Sequence, residues 1–139
     1  FLVKQGIAVC GHLGLLPQFI HQIGAYKVYG KELDSADQLI NDALALQRVG
    51  VSLLLLECVP AVLAKHISEI VDIPVIGIGA GVDCDGQVLV IYDMLGISTG
   101  KRPRFSKNFL SETNSIESAL ENYYNAVKKG DFPTPAHSF

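Results

Sequence analysis

Apolar residues fall along this chain in two rhythms, as short unbroken runs and as stripes at helical spacing. The runs are Ile7–Cys10, Ser52–Leu56, Val75–Ile78 and Val88–Ile91. Unbroken runs of that length, bounded by turn residues, predict strands buried on both faces of a parallel sheet. The stripe Leu39, Ile40, Ala43, Leu44 and Leu46 predicts a helix stopped by Gly50, and Ser35 with Gln38 has the spacing of a capping box. A shorter helix is predicted over Ala61–Ile70, ended by Asp72 and Pro74. A third is predicted over Ile116–Lys129, capped by Asn114 or Ser115, with Ile116, Ala119, Leu120, Tyr123 and Val127 on one face and Gly130 as its stop. Leu15–Lys31 is predicted as a long loop, Phe1–Lys4 as a helix end closed by Gly6, and Asp131–Phe139 as an extended, loosely held tail.

Strands alternating with helices imply right-handed crossovers and a parallel α/β sheet. The first strand is as apolar as its neighbours, so the sheet has no natural edge there. Either more sheet lies upstream of Phe1 or two copies complete one another. With 139 residues and no repeat or linker, the chain reads as a single domain over 1–139.

Composition sharpens this picture. The chain is 49% hydrophobic and 18% charged, with a mean hydropathy of +0.31. That excess suits strands covered on both faces, or surface buried against a partner. A net charge of −3 gives no reason to expect nucleic acid or an anionic membrane as ligand. No apolar stretch approaches the roughly 20 residues of a bilayer span, and Phe1–Lys4 lacks the features of a signal peptide. Cys10, Cys58 and Cys84 are widely spaced without a CxxC, the pattern of reduced thiols in a cytosolic protein. Cys10 and Cys58, each following apolar strand residues, read as space fillers.

Glu57 is the first candidate for chemistry. It ends the four-leucine run Leu53–Leu56, and Pro60 follows. A carboxylate at the carboxyl end of a buried parallel strand lies where α/β enzymes keep their reactive groups, and burial raises its pKa or demands a partner. The plain alternative is a structural salt bridge. His12 is flanked by Gly11 and Gly14 just past a strand, where it can donate to a carbonyl or carboxylate; a satisfied turn histidine is the alternative. Gly77-Ile78-Gly79-Ala80-Gly81 departs from a dinucleotide loop at Val82, and reads as a strand end approached by substrate or as a tight turn. Lys101, Arg102, Arg104 and Lys107 form either an anion site or, more often for such runs, a solvated loop. Asp83 and Asp85 supply too few oxygens for a calcium loop. Asp93 could face the site, cap an element or lie on the surface, and His21, His66 and His137 have no partner at ligand spacing.

The segments Cys10–Leu15 (CGHLGL), Leu56–Pro60 (LECVP), Pro74–Gly81 (PVIGIGAG), Asp85–Val90 (DGQVLV) and Lys107–Phe109 (KNF) together resemble ketopantoate hydroxymethyltransferases. The likeness runs from about Ile7 to the final His137-Ser138-Phe139. It implies a phosphoenolpyruvate/pyruvate-type (β/α)8 TIM barrel, of which the four strands here would be strands five to eight. Residues 1–100 would be the second half of that barrel, and residues 101–139 a C-terminal extension with a helix at about 116–129. It also implies a cytoplasmic homo-oligomer, decameric in the family, with a magnesium ion. The implied reaction joins 5,10-methylenetetrahydrofolate and 3-methyl-2-oxobutanoate to give 2-dehydropantoate in pantothenate biosynthesis. Glu57 matches the family's proton acceptor, and His12 matches the histidine that contacts the keto acid. The metal ligands, with a serine and a lysine that hold substrate, belong to the first barrel half and are expected upstream of Phe1. The chain alone is therefore expected to be inactive. The remaining alternatives are one half of a split enzyme, another keto-acid enzyme of the superfamily such as a lyase, or a non-catalytic half-barrel with an assembly role.

Overall fold

The structure is a computed structural model that describes residues 1–19 and 27–139. His21 and the middle of the predicted loop Leu15–Lys31 lie outside the described residues. Four parallel strands form one sheet in sequence order: β1 (Cys10–Gly14), β2 (Leu53–Glu57), β3 (Val75–Ile78) and β4 (Gly86–Gln87). The helices are α1 (Leu33–Arg48), α2 (Ala61–Ile70), the short α3 (Ile91–Met94) and α4 (Ile116–Lys129). A four-stranded parallel α/β sheet with two open edge strands is consistent with a half-barrel.

Local chemistry explains most of the boundaries. Ser115 caps α4 by accepting from the Ser118 amide, and Gly130, at φ 74°, closes its end. Gly6 likewise closes the first turn of the chain, a single 3-10 turn over Val3–Gln5. The predicted capping box does not form. α1 begins at Leu33, so Ser35 already lies inside the first turn; its hydroxyl donates to the Glu32 carbonyl, while Gln38 donates to Asp42.

Two strand predictions shift. β1 begins at Cys10 rather than Ile7, because backbone pairing, not hydropathy, sets it: Cys10–Gly14 runs in register with Leu53–Glu57. Gly11 serves that pairing, since a Cβ there would come within 2.9 Å of the Leu46 side chain from α1. β4 is Gly86–Gln87, not Val88–Ile91, and Ile91 already starts α3. The tail Asp131–Phe139 is docked rather than loose. Phe132 is 2% exposed and packs edge-to-face on Phe109, with ring centroids 5.4 Å apart, and the Phe139 carbonyl accepts from the first amide of α2.

The leucine run separates the two sheet faces. Leu54 and Leu56 are fully buried beneath α1 and α2, with Val75, Leu39, Ala43, Ala64 and Ile67. Leu53 and Leu55 point the other way and are only half-buried, as is Ile76 on β3. Near the strand ends, Ile78 on that second face is covered by a core of Leu89, Met94, Phe105, Phe109 and Phe132. The expectation of full burial on both faces thus holds for one face only.

Candidate active site

Side chains alternate along a strand, and the register sets His12 opposite Leu55 and Gly14 opposite Glu57. His12 and Glu57 therefore share the half-covered face, at the carboxyl end of the sheet. Their side chains meet, with His12 Nε2 3.2 Å from Glu57 Oε2. Gly14 makes the approach possible. It sits at φ +90°, and a Cβ there would collide with the Glu57 carbonyl, which instead accepts from the Leu15 amide at 2.8 Å.

The side chain of Glu57 is 10% exposed and that of His12 27%. Burial raises the Glu57 carboxyl to about 7. Burial also lowers the His12 imidazole, an effect partly offset by the Leu15 backbone. Both shifts disfavour charge, so the 3.2 Å contact is not a standing ion pair. The carboxyl gains and loses its proton near neutrality. Nε2 is shielded from solvent, faces Glu57 Oε2 and makes no aligned hydrogen bond among the described residues.

Backbone strain sits beside this pair. Cys58 has φ +52°, the one positive-φ residue among the described residues that is not glycine, a conformation that persists only where surroundings enforce it. Here its amide donates to the Ile78 carbonyl and its carbonyl accepts from Tyr29, both at 3.0 Å. Sequence reading treated Cys58 as filler; nothing in residue type signals left-handed backbone at a cysteine. Cys10, also read as filler, is exposed.

The other candidates separate from the pair. Asp93 is buried and accepts from the Ser98 hydroxyl at 2.5 Å. Asp85 accepts from the Val75 amide at the start of β3, and Asp83 faces Lys65 at 3.9 Å on the surface. The glycine run turns the chain out of β3: a Cβ on Gly79 would meet the Phe105 ring at 3.0 Å, and one on Gly81 would meet the Ala61 Cβ at 2.5 Å. Protein atoms, not ligand space, fill those positions. His137 bonds to Thr134 at 2.8 Å and packs at a tilt against the Phe132 ring. Lys107 pairs with Glu112 at 3.1 Å. No group of three or more His, Cys, Asp or Glu side chains that could hold a metal occurs among the described residues. No helix among them is long and apolar enough to cross a membrane.

Residues 1–135 match the family model described as ketopantoate hydroxymethyltransferase. Relatives named 3-methyl-2-oxobutanoate hydroxymethyltransferase include one from Nitrosospira multiformis, 55% identical over 139 residues, covering 100% of this chain and 53% of the relative. Another, from Alkalilimnicola ehrlichii, is 56% identical over 138 residues, covering 99% of this chain and 50% of the relative. A third, from Shewanella denitrificans, is 53% identical over 137 residues, with 99% and 52% covered. The chain thus spans about half the length of the curated relatives it matches.

Proposed function

The chain belongs to the ketopantoate hydroxymethyltransferase family, and from that premise we propose that it carries the proton-transfer half of a hydroxymethyl transfer to 3-methyl-2-oxobutanoate. The observation that supports this most directly is the poorly hydrated Glu57 carboxyl, at about 7, 3.2 Å from the His12 imidazole. A base poised near neutrality is what removal of a proton next to a ketone requires. Glu57 takes the proton from C3 of the keto acid, and His12, beside it, orients the substrate or offsets charge on its oxygens. The resulting enolate carbon attacks the methylene carbon of 5,10-methylenetetrahydrofolate. For the atoms to balance, water first cleaves both C–N bonds of that methylene, releasing tetrahydrofolate and a formaldehyde-level carbon; the enolate adds to this carbon, and its oxygen takes up the proton held by Glu57 to give 2-dehydropantoate.

A magnesium ion is part of the family reading, but this chain's residues do not fit it. Glu57 is the one carboxylate at the site, burial disfavours its ionised form and an imidazole lies 3.2 Å from it, which makes it a poor anchor for a hard dication. Its ligands would come from outside these residues, and no step above passes through the ion. The half-covered leucine face supports the same division. The four strands would be strands five to eight of a TIM-type barrel, with another half lying over Leu53, Leu55 and Ile76, and the chain by itself would not turn over. A homo-oligomer working in the cytoplasm completes this reading, in keeping with three free thiols.

Replacing Glu57 with glutamine in the protein at its full natural length tests the assignment. Deuterium exchange from solvent into 3-methyl-2-oxobutanoate should drop by about 10³-fold or more while keto-acid binding persists. Exchange at near the unaltered rate would remove Glu57 as the base.

A further inference from the structure

A hollow of about 350 Å³ opens against Cys58, the residue after Glu57, and four cations rim it: Lys27, Lys101, Arg102 and Arg104. No carboxylate among the described residues lines it. None of the four has an ion-pair partner within 4.0 Å among those residues, whereas Lys107, from the same basic run, is paired with Glu112. A chain of net charge −3 thus gathers four unpaired positive charges at one place, beside its candidate base.

Lys27, Lys101 and Arg102 are exposed, but the end of the basic run is anchored at Arg104 and Phe105. Phe105 is 5% exposed and abuts Gly79. Arg104 donates from Nε to the Ala136 carbonyl at 3.2 Å and lies 5.4 Å over the Phe139 ring, which leaves its terminal N–H groups for a ligand. Burial lowers the His137 pKa, with Lys107 and Arg102 adding to the effect. The walls between the charges are flat and apolar: Val28, Pro103 and Phe139. Charge at the rim and apolar walls within suit an aromatic ligand that carries carboxylates.

We propose that this hollow receives the benzoyl-glutamate tail of the folate co-substrate, its carboxylates held by Lys101, Arg102, Arg104 and Lys27. Seated there, the tail directs the one-carbon end toward the mouth of the sheet where Glu57 works. The assignment rests on the transferase reading above and adds to it the grip on the second substrate. It also gives a use to the basic run, which the keto-acid chemistry leaves idle.

The test uses the protein at its full natural length and the double variant K101A/R102A. Two reactions separate the possibilities: deuterium exchange into 3-methyl-2-oxobutanoate, which needs no folate, and hydroxymethyl transfer with co-substrates bearing one or three glutamates. The unaltered protein should prefer the triglutamate. In the variant, KM for the triglutamate should rise about tenfold and for the monoglutamate about threefold, since these charges are exposed and partly screened. The exchange rate and its KM for keto acid should hold. If exchange is normal and neither folate KM moves by twofold, the folate site is wrong while the base assignment stands. If the exchange KM for keto acid rises instead, the cations serve the smaller carboxylate and the proposal falls. If the unaltered protein exchanges no deuterium, the transferase reading fails first and takes this one with it.

Discussion

Leu54 and Leu55 are chain neighbours of the same type, yet they occupy different worlds. Leu54 is fully buried under α1 and α2; Leu55 faces the side where His12 and Glu57 meet and is only half-buried. One face of the sheet is a finished core, and the other carries the chemistry and is unfinished. In urea unfolding of this chain, Leu54→Ala should cost about 3 kcal/mol and Leu55→Ala about 1, because a cavity term arises only where neighbours enclose the site. Supplied with the family's other half, the chain should lose that asymmetry, with Leu55→Ala rising toward the Leu54→Ala value. Equal costs in the isolated chain would mean the chemical face is already covered, and the half-barrel reading would go with it.

The finished face was largely legible from residue order. Val75–Ile78 was predicted with correct ends because Pro74 and Gly79 bracket it, and α2 was predicted with its observed ends, Ala61–Ile70; α4, which packs in the other core, follows from apolar spacing with a serine cap and a glycine stop. The face that bears Glu57 was harder. β1 consists of Cys-Gly-His-Leu-Gly, residues with little intrinsic strand preference, whose pairing is decided by β2. β4 has two residues, and the apolar Val88–Ile91 beside it leads into a helix. Periodicity says nothing of long-range docking either, so the tail that buries Phe132 against Phe109 and Tyr123 looked loose. Glu57 and His12 were legible as candidates from their neighbours, but their 3.2 Å contact depends on a register that no local pattern encodes. The hollow at Cys58 was not legible, since Lys27 lies far in sequence from the run that begins at Lys101.

A somewhat smaller effect separates the faces by pH. Glu57 holds its proton more tightly folded than unfolded, at about 7 against a reference of 4.5. The folded state therefore binds the extra proton between those values, and stability falls as pH rises through that window. His12 acts in the opposite sense: its lowered pKa makes the folded state bind fewer protons near and below 6.5, so stability rises with pH there. Comparing the parent with Glu57→Gln removes the histidine contribution to first order. The variant should match the parent near pH 4 and exceed it by about 2–3 kcal/mol at pH 8, read from urea midpoints. A gap that stays constant with pH would show that Glu57 is well hydrated and not a burial-tuned base. In the exchange reaction the same carboxyl should give a rate that climbs through about pH 7 and levels off above it.

The smallest test concerns the hinge between the faces, where β2 leaves Glu57 through Cys58 at φ +52°. Alanine there keeps the unfavourable left-handed backbone and loses a sulfur that is 2% exposed, which should cost about 1–2 kcal/mol. Glycine loses slightly more side chain but adopts that backbone freely, recovering about 1 kcal/mol. Cys58→Gly should therefore be no less stable than Cys58→Ala, the reverse of the order expected at an ordinary buried cysteine. Cys10, exposed on the open face, provides the control: Cys10→Ala should shift stability by no more than about 0.5 kcal/mol. A Cys58→Gly variant well below Cys58→Ala would mean that the turn is not strained, and that the grip of Ile78 and Tyr29 on Cys58 does not hold Glu57 in place.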